Sequence, residues 1–178
     1  LWQKEDLSEE TETVSHPKCI YCLSSDNTFQ SEEHIFPEGL GNDEAVLPKG
    51  YVCDRCNNGI LSTLDSYLLK FEPIAWLQVQ YVPYTKSGKL PKANFQNMTI
   101  EKTHPSHIRI TAKDKTGRML NKKELGNGWV SWNMNFRGKH VDPIRLGRSL
   151  YKIGLGFVAL DQGLDTVLSA RFDAARDY

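Results

Sequence analysis

The sequence predicts an α+β fold, with a small metal-stapled core followed by a larger α+β region of unrecognised fold. Three observations predict it. All four cysteines fall between positions 19 and 56, as two Cys-x-x-Cys pairs. Further along, apolar residues switch between strand-like alternation and helical spacing. Charge is also segregated. Residues 1–78 carry 5 basic and 14 acidic groups (net −9), residues 79–152 carry 15 and 4 (net +11), and residues 153–178 carry 2 and 4 (net −2). Local charge, not the formal total of zero, sets what a surface attracts. The middle block therefore either presents a positive face or neutralises the acidic half across an interface. With 178 residues, 39% of them hydrophobic, the chain has room for one ordinary domain or two small ones, and it is not a wholly disordered chain. No window of 18 apolar residues occurs, so no transmembrane helix and no membrane partner are expected. The chain starts at Leu1, which reads as a fragment or a processed chain.

Cys19 and Cys22 form the first cysteine pair and Cys53 and Cys56 the second, with 30 residues between them. Each pair is short enough for both thiolates to face one ion. Four thiolates in two such knuckles suit a tetrahedral structural zinc. Disulfides would need an oxidising setting and would not explain the repeated spacing. A redox Cys-x-x-Cys should open a helix in a βαβ unit, and none is legible. An iron–sulfur site lacks supporting spacing. Reduced, metal-binding thiols make a cytoplasmic setting the expectation. The ion would hold together two knuckles too small to fold on apolar burial alone.

Between the pairs the chain reads Ser31-Glu32-Glu33-His34-Ile35-Phe36-Pro37-Glu38-Gly39-Leu40-Gly41-Asn42, and the second pair, Cys53-Asp54-Arg55-Cys56, runs into Asn57-Asn58-Gly59. Taken together over residues 17–70, this resembles the HNH endonucleases of the ββα-metal (His-Me finger) fold, in the branch with a four-cysteine zinc site. The resemblance implies a metal-dependent hydrolase of phosphodiester bonds in DNA. It places Glu33 where the family has an acidic metal ligand, His34 at the general base, and Asn57 at the residue that closes the metal site. The catalytic ion implied is Mg²⁺ or Mn²⁺, separate from the zinc. Two departures stand out. Glu replaces the commoner Asp at position 33. The stretch Val46–Val52 also lacks the asparagine that orients the histidine in many members, so another group must orient His34.

The residue types suit that chemistry. A Glu carboxylate and an Asn carbonyl are hard oxygen ligands for Mg²⁺ or Mn²⁺. An imidazole with an ordinary pKa of about 6.5 can take a proton from water near neutrality. Adjacent strand residues point to opposite faces, so Glu33 and His34 need a bent backbone or must straddle the phosphate. Glu32 is the alternative carboxylate for the ion. Asn58 reads as a cap or turn before Gly59.

A helix is expected over 61–71, with Leu61, Leu64, Leu68 and Phe71 on one face, Asn57 just before it and Pro73 as its stop. Asp65 on this helix is a further candidate for the ion, a partner of His34, or a solvated acid. His16 reads as flank, and His104, His107 and His140 lack ligand-like company. The organisation expected is an acidic flexible flank (1–15), the nuclease domain (16–72) and a basic substrate-recognition or scaffold domain (73–178).

Residues 74–82 fit either strand or helix, and Pro83 to Pro91 read as a loop. Residues 98–102 and 107–112 read as strands, with Asp114–Arg118 as a hairpin turn. Trp129, Trp132 and Phe136, among Lys122, Lys123, Arg137 and Lys139, read as core aromatics or as a base-stacking and phosphate-binding surface. Residues 144–160 form an apolar helix-like run, weakened by Gly147, Gly154 and Gly156, and 164–176 read as a broken helix. The expected partner is double-stranded DNA, and a homodimer is compatible with that. Restriction, homing, phage defence and junction cleavage all fit. The alternative is a catalytically inactive, zinc-stapled nucleic-acid-binding module.

Overall fold

The structure, a computed structural model, describes residues 16–95, 98–112, 122–132 and 141–177. The acidic flank, the Asp114–Arg118 turn, Phe136, Arg137, Lys139 and His140 lie outside the described residues. The chain folds into two compact units. One gathers the residues up to Ile35, Ala45–Ser62, and the residues from Tyr151 on, and the other Phe36–Glu44 and Thr63–Leu150.

In the first unit the two cysteine knuckles are tied by backbone bonds. Lys18 donates to the Gly50 carbonyl at 3.2 Å and Ile20 to that of Tyr51 at 3.0 Å. Leu23 closes the first knuckle with a positive φ of 59° and a bond to Cys19 O. Strand β1 (Glu33–His34) pairs antiparallel with β2 (Val46–Leu47), with Glu33 opposite Leu47 and His34 opposite Val46. The ladder continues through Ile35 N–H to Ala45 O at 3.0 Å. Alternation puts Glu33 and Ile35 inside and leaves His34 partly exposed.

Cys53, in extended conformation, caps a helical run that begins with α1 (Asp54–Cys56) and passes through a π turn at Asn57–Leu61. The expectation that Asn57 precedes the helix is corrected. The helical run starts at Asp54, directly after the extended Cys53 that caps it, and Asn57 opens the π turn. Single π turns inside helices recur at functional sites.

The core of this unit contains Ile20, Phe29, Ile35, Leu47 and Val52, closed by Leu155, Ala159 and Val167 from the C-terminal residues. Helix α4 (Pro143–Gln162) supplies Leu155 and Ala159 and runs straight through all three glycines that weakened the helix expectation. Gly156 is there for contact. A Cβ at this position would sit 3.0 Å from Ile35 Cγ1. Gly156→Leu should therefore overpack the core and cost about 1–3 kcal/mol, read as a lowered midpoint in urea unfolding. The expected broken helix is α5 (Leu164–Val167), a 3₁₀ turn (Ala170–Phe172) and α6 (Asp173–Asp177). Arg176 of α6 is 4% exposed and donates to Ile20 O at 2.8 Å and to Val167 O, pinning this segment to the first knuckle.

In the second unit, α2 (Ser62–Lys70) buries Leu64 and Leu68. Helix α3 (Glu72–Tyr81) follows after one residue, with Pro73 in its first turn. Pro73 thus starts a helix as well as ending one, since its missing N–H costs nothing at that position. Strands β3 (Lys92–Asn94), β4 (Met98–His104) and β5 (His107–Ala112) form an antiparallel sheet in that order. Val79 of α3 packs with Ala93, Phe95, Met98 and Ile100. Lys102 is buried on the same sheet face and gives its ammonium to Val82 O at 2.7 Å and Gln80 O at 3.3 Å, satisfying carbonyls at the end of α3. A separate hairpin, β6 (Lys122–Gly126) and β7 (Trp129–Trp132), turns through Gly126-Asn127-Gly128, all at positive φ. Trp129 is 75% exposed, which corrects its reading as a core aromatic. Trp129 and Leu125 of this two-stranded hairpin are both left uncovered.

Candidate functional site

The four cysteines are reduced and meet at one point. Their sulfurs all lie within 4.8 Å of one another, with Cys22 and Cys53 at 3.7 Å. Thiolates about 2.3 Å from a shared tetrahedral ion lie about 3.8 Å apart, so the donor set fits such an ion. Cys19, Cys53 and Cys56 are buried and Cys22 is exposed. Burial pushes the Cys19 thiol up to about 11 and raises Cys56 further. For Cys22, burial also pushes upward, but the Ser24 N–H and bonds with the other three thiols outweigh it and hold the thiol low. Four adjacent thiolates repel, so a bound cation must displace their protons, which couples metal binding to folding.

Asp54, beside these ligands, anchors the loop that leads into β1. Its carboxylate accepts from Gln30 N–H at 3.1 Å, from Ser31 N–H at 2.9 Å, and from the Ser31 hydroxyl. Ser31, then Thr28 and Gln30, hold its carboxyl far below the usual range. The sign follows from the depressed pKa. The contribution is complete above the ordinary carboxylate value and disappears only as the pH falls into strong acid.

Of the catalytic candidates, His34 sits on the half-exposed face of β1. Asn57 donates its amide N–H to Glu32 O at 2.9 Å, which joins the π turn to the residue entering β1. Glu32 is exposed. Glu33 is 3% exposed, and its Oε1 lies 2.7 Å from the ammonium of Lys152. That ammonium also donates to His34 O at 3.1 Å. Asp65 is half-buried in the first turn of α2, in the other unit. His16 is exposed and takes no part in the cysteine cluster.

Two groupings escaped the sequence. Lys152 is separated from Glu33 by most of the chain. Its only legible signal is a lysine in the stripe Lys152, Leu155, Ala159, the buried side of α4. His104 and His107 do acquire company, since their Nδ1 atoms lie 3.4 Å apart across the β4–β5 turn with Ser106 Oγ between them.

Among known proteins, residues 19–71 match the sequence model of a family described as HNH endonuclease. No curated protein and no solved structure matches the chain. The match spans the cysteine cluster together with Glu33, His34 and Asn57, so residues 19–71 carry an HNH endonuclease family domain with a four-cysteine cluster suited to a metal ion built into it.

Proposed function

We propose that the protein is a metal-dependent endonuclease that hydrolyses phosphodiester bonds in double-stranded DNA, with zinc in the four-cysteine cluster. The observation that carries this reading is the partly exposed His34 on β1, within an HNH-matched segment that holds four clustered thiols and in which Asn57 is bonded to Glu32, two residues before His34. His34 accepts a proton from the attacking water. The Asn57 amide oxygen, together with the Glu33 carboxylate or exposed Glu32, would hold Mg²⁺ or Mn²⁺. That ion supplies offsetting charge at the phosphate and the leaving oxygen. The basic block supports a polyanionic substrate, since Lys89, Lys123 and Arg148 are exposed. Lys86, Lys92 and Arg145 form only surface ion pairs, which phosphate can displace at little cost.

One observation favours the second reading, an inactive DNA-binding module. The charge of Glu33 is already balanced by Lys152. Plasmid nicking decides between them. The chain should cut in Mg²⁺ or Mn²⁺ and not in EDTA-treated buffer at retained zinc, and DNA binding should weaken steeply with salt. Binding without cutting on plain, modified and branched DNA selects the inactive module. Glu32→Gln and Glu33→Gln then identify the carboxylate. The variant that raises the Mn²⁺ concentration needed for half-maximal cutting about tenfold or more has lost a ligand.

A further inference from the structure

We infer that Lys152 is a positioning residue that fixes strand β1 so that Glu33 stays inside and His34 faces outward. What His34 does rests on the nuclease reading above. What Lys152 does rests on the packing of the cysteine-containing unit. The lysine lies in α4, far outside the segment that matches the nuclease family.

Strand β1 has two residues and few ladder bonds of its own. A slip of one residue in such a strand exchanges the faces of every side chain. Here the slip would bring His34 inside and push Glu33 out. Lys152 opposes it through both of its contacts. Its side chain is 1% exposed and that of Glu33 is 4% exposed. An ammonium so buried must keep a partner, because an unpaired buried charge is far costlier than the pair. The carboxylate at 2.7 Å supplies it and must remain inside. The second contact, to His34 O at 3.1 Å, holds the backbone of the proposed base itself. Among the described residues no side chain hydrogen-bonds the His34 ring, so its direction is set by that backbone and its packing.

Lys152 is itself well fixed. The Tyr21 hydroxyl donates to Lys152 O at 3.1 Å. One turn further along, Gly156 lets α4 press on Ile35, the residue after His34, and Leu155 and Ala159 share the core with Ile35. An apolar pair at positions 33 and 152 would fill the same space with similar stability. A charged pair adds register, since it specifies which of two adjacent residues faces in.

The test uses the full chain with zinc bound. Lys152→Met should lower kcat for plasmid nicking about 10- to 100-fold, the scale of a catalytic group displaced by about 1 Å. Measured on the folded, zinc-loaded fraction, KM should stay within about twofold, while the thermal midpoint falls because Glu33 loses its buried partner, and Lys152→Arg should recover most of both losses. Wild-type kcat in Lys152→Met overturns the inference, as does a fall in kcat that only tracks lost zinc or lost folded protein. Glu33→Leu/Lys152→Met keeps the site packed and is read without activity. The His34 ring signals should shift and broaden in NMR spectra, and exchange of the Ile35 amide should quicken about tenfold or more as β1 loosens. Unchanged signals and exchange overturn the inference. Because this readout needs no cleavage, a wild-type chain that fails to cut DNA sinks the nuclease reading while Lys152 is still judged by His34.

Discussion

His34→Ala should lower DNA cleavage by about 10²- to 10⁴-fold, the usual contribution of a positioned general base, while zinc content and the melting midpoint stay at wild-type values. The separation is expected because the ring takes no part in the core. Its neighbours Glu33 and Ile35 are buried, whereas His34 is half-exposed opposite Val46. Truncation therefore removes chemistry and little packing. Single-turnover nicking at saturating DNA isolates the effect in the chemical step, and imidazole added to the alanine variant should restore part of the rate. Equal rates for wild type and variant would remove His34 from the mechanism.

Removing the zinc proposed for the cysteine cluster should have the largest effect on stability. Apparent binding energies of structural zinc in zinc-finger peptides are about 10–16 kcal/mol, comparable to the whole stability of an ordinary domain. The sulfurs sit within the main core of their unit, where Cys19, Cys53 and Cys56 pack with Ile20, Ile35 and Leu47. Once the metal is gone, Cys19 and Cys56 hold their protons, and the two knuckles are joined by only a few backbone bonds. A strong chelator should therefore melt this unit at room temperature, seen as lost near-ultraviolet dichroism with one zinc released per chain. Cys19→Ser should do nearly the same. Cys22→Ser should be milder, because that ligand is exposed and water can substitute for it. A chelated chain that keeps its wild-type melting curve would show that the cluster does not staple the fold.

Local signals were legible where local chemistry dictates them. The Cys-x-x-Cys spacing, the strands at 98–102 and 107–112, and the helix carrying Leu64 and Leu68 follow from short-range geometry and periodicity. The helix at Pro143–Gln162 was blurred only by glycines. One of them, Gly156, is explained by the close approach of Ile35, which no local pattern records. Pro73 illustrates a different ambiguity, since the same ring ends one helix and suits the first turn of the next. For Trp129 the sequence offered both a core and a surface reading, and its exposure rules out the core one, because composition does not say whether anything covers a strand face.

The sequence by itself determined the four-cysteine cluster that can hold a metal ion, the family of residues 19–71, and the identities of His34, Glu33 and Asn57 as the residues to examine. These reside in spacings of a few residues, which bond geometry converts directly into proximity. The tertiary structure alone decided that Glu33 points inward onto Lys152, that the helix begins at Asp54 with Asn57 in a π turn, and that the C-terminal residues close the core around the cysteines. Each of these depends on contacts between distant parts of the chain. A buried ammonium seeks a carboxylate wherever folding brings one near, and that choice is made by packing rather than by neighbours in sequence.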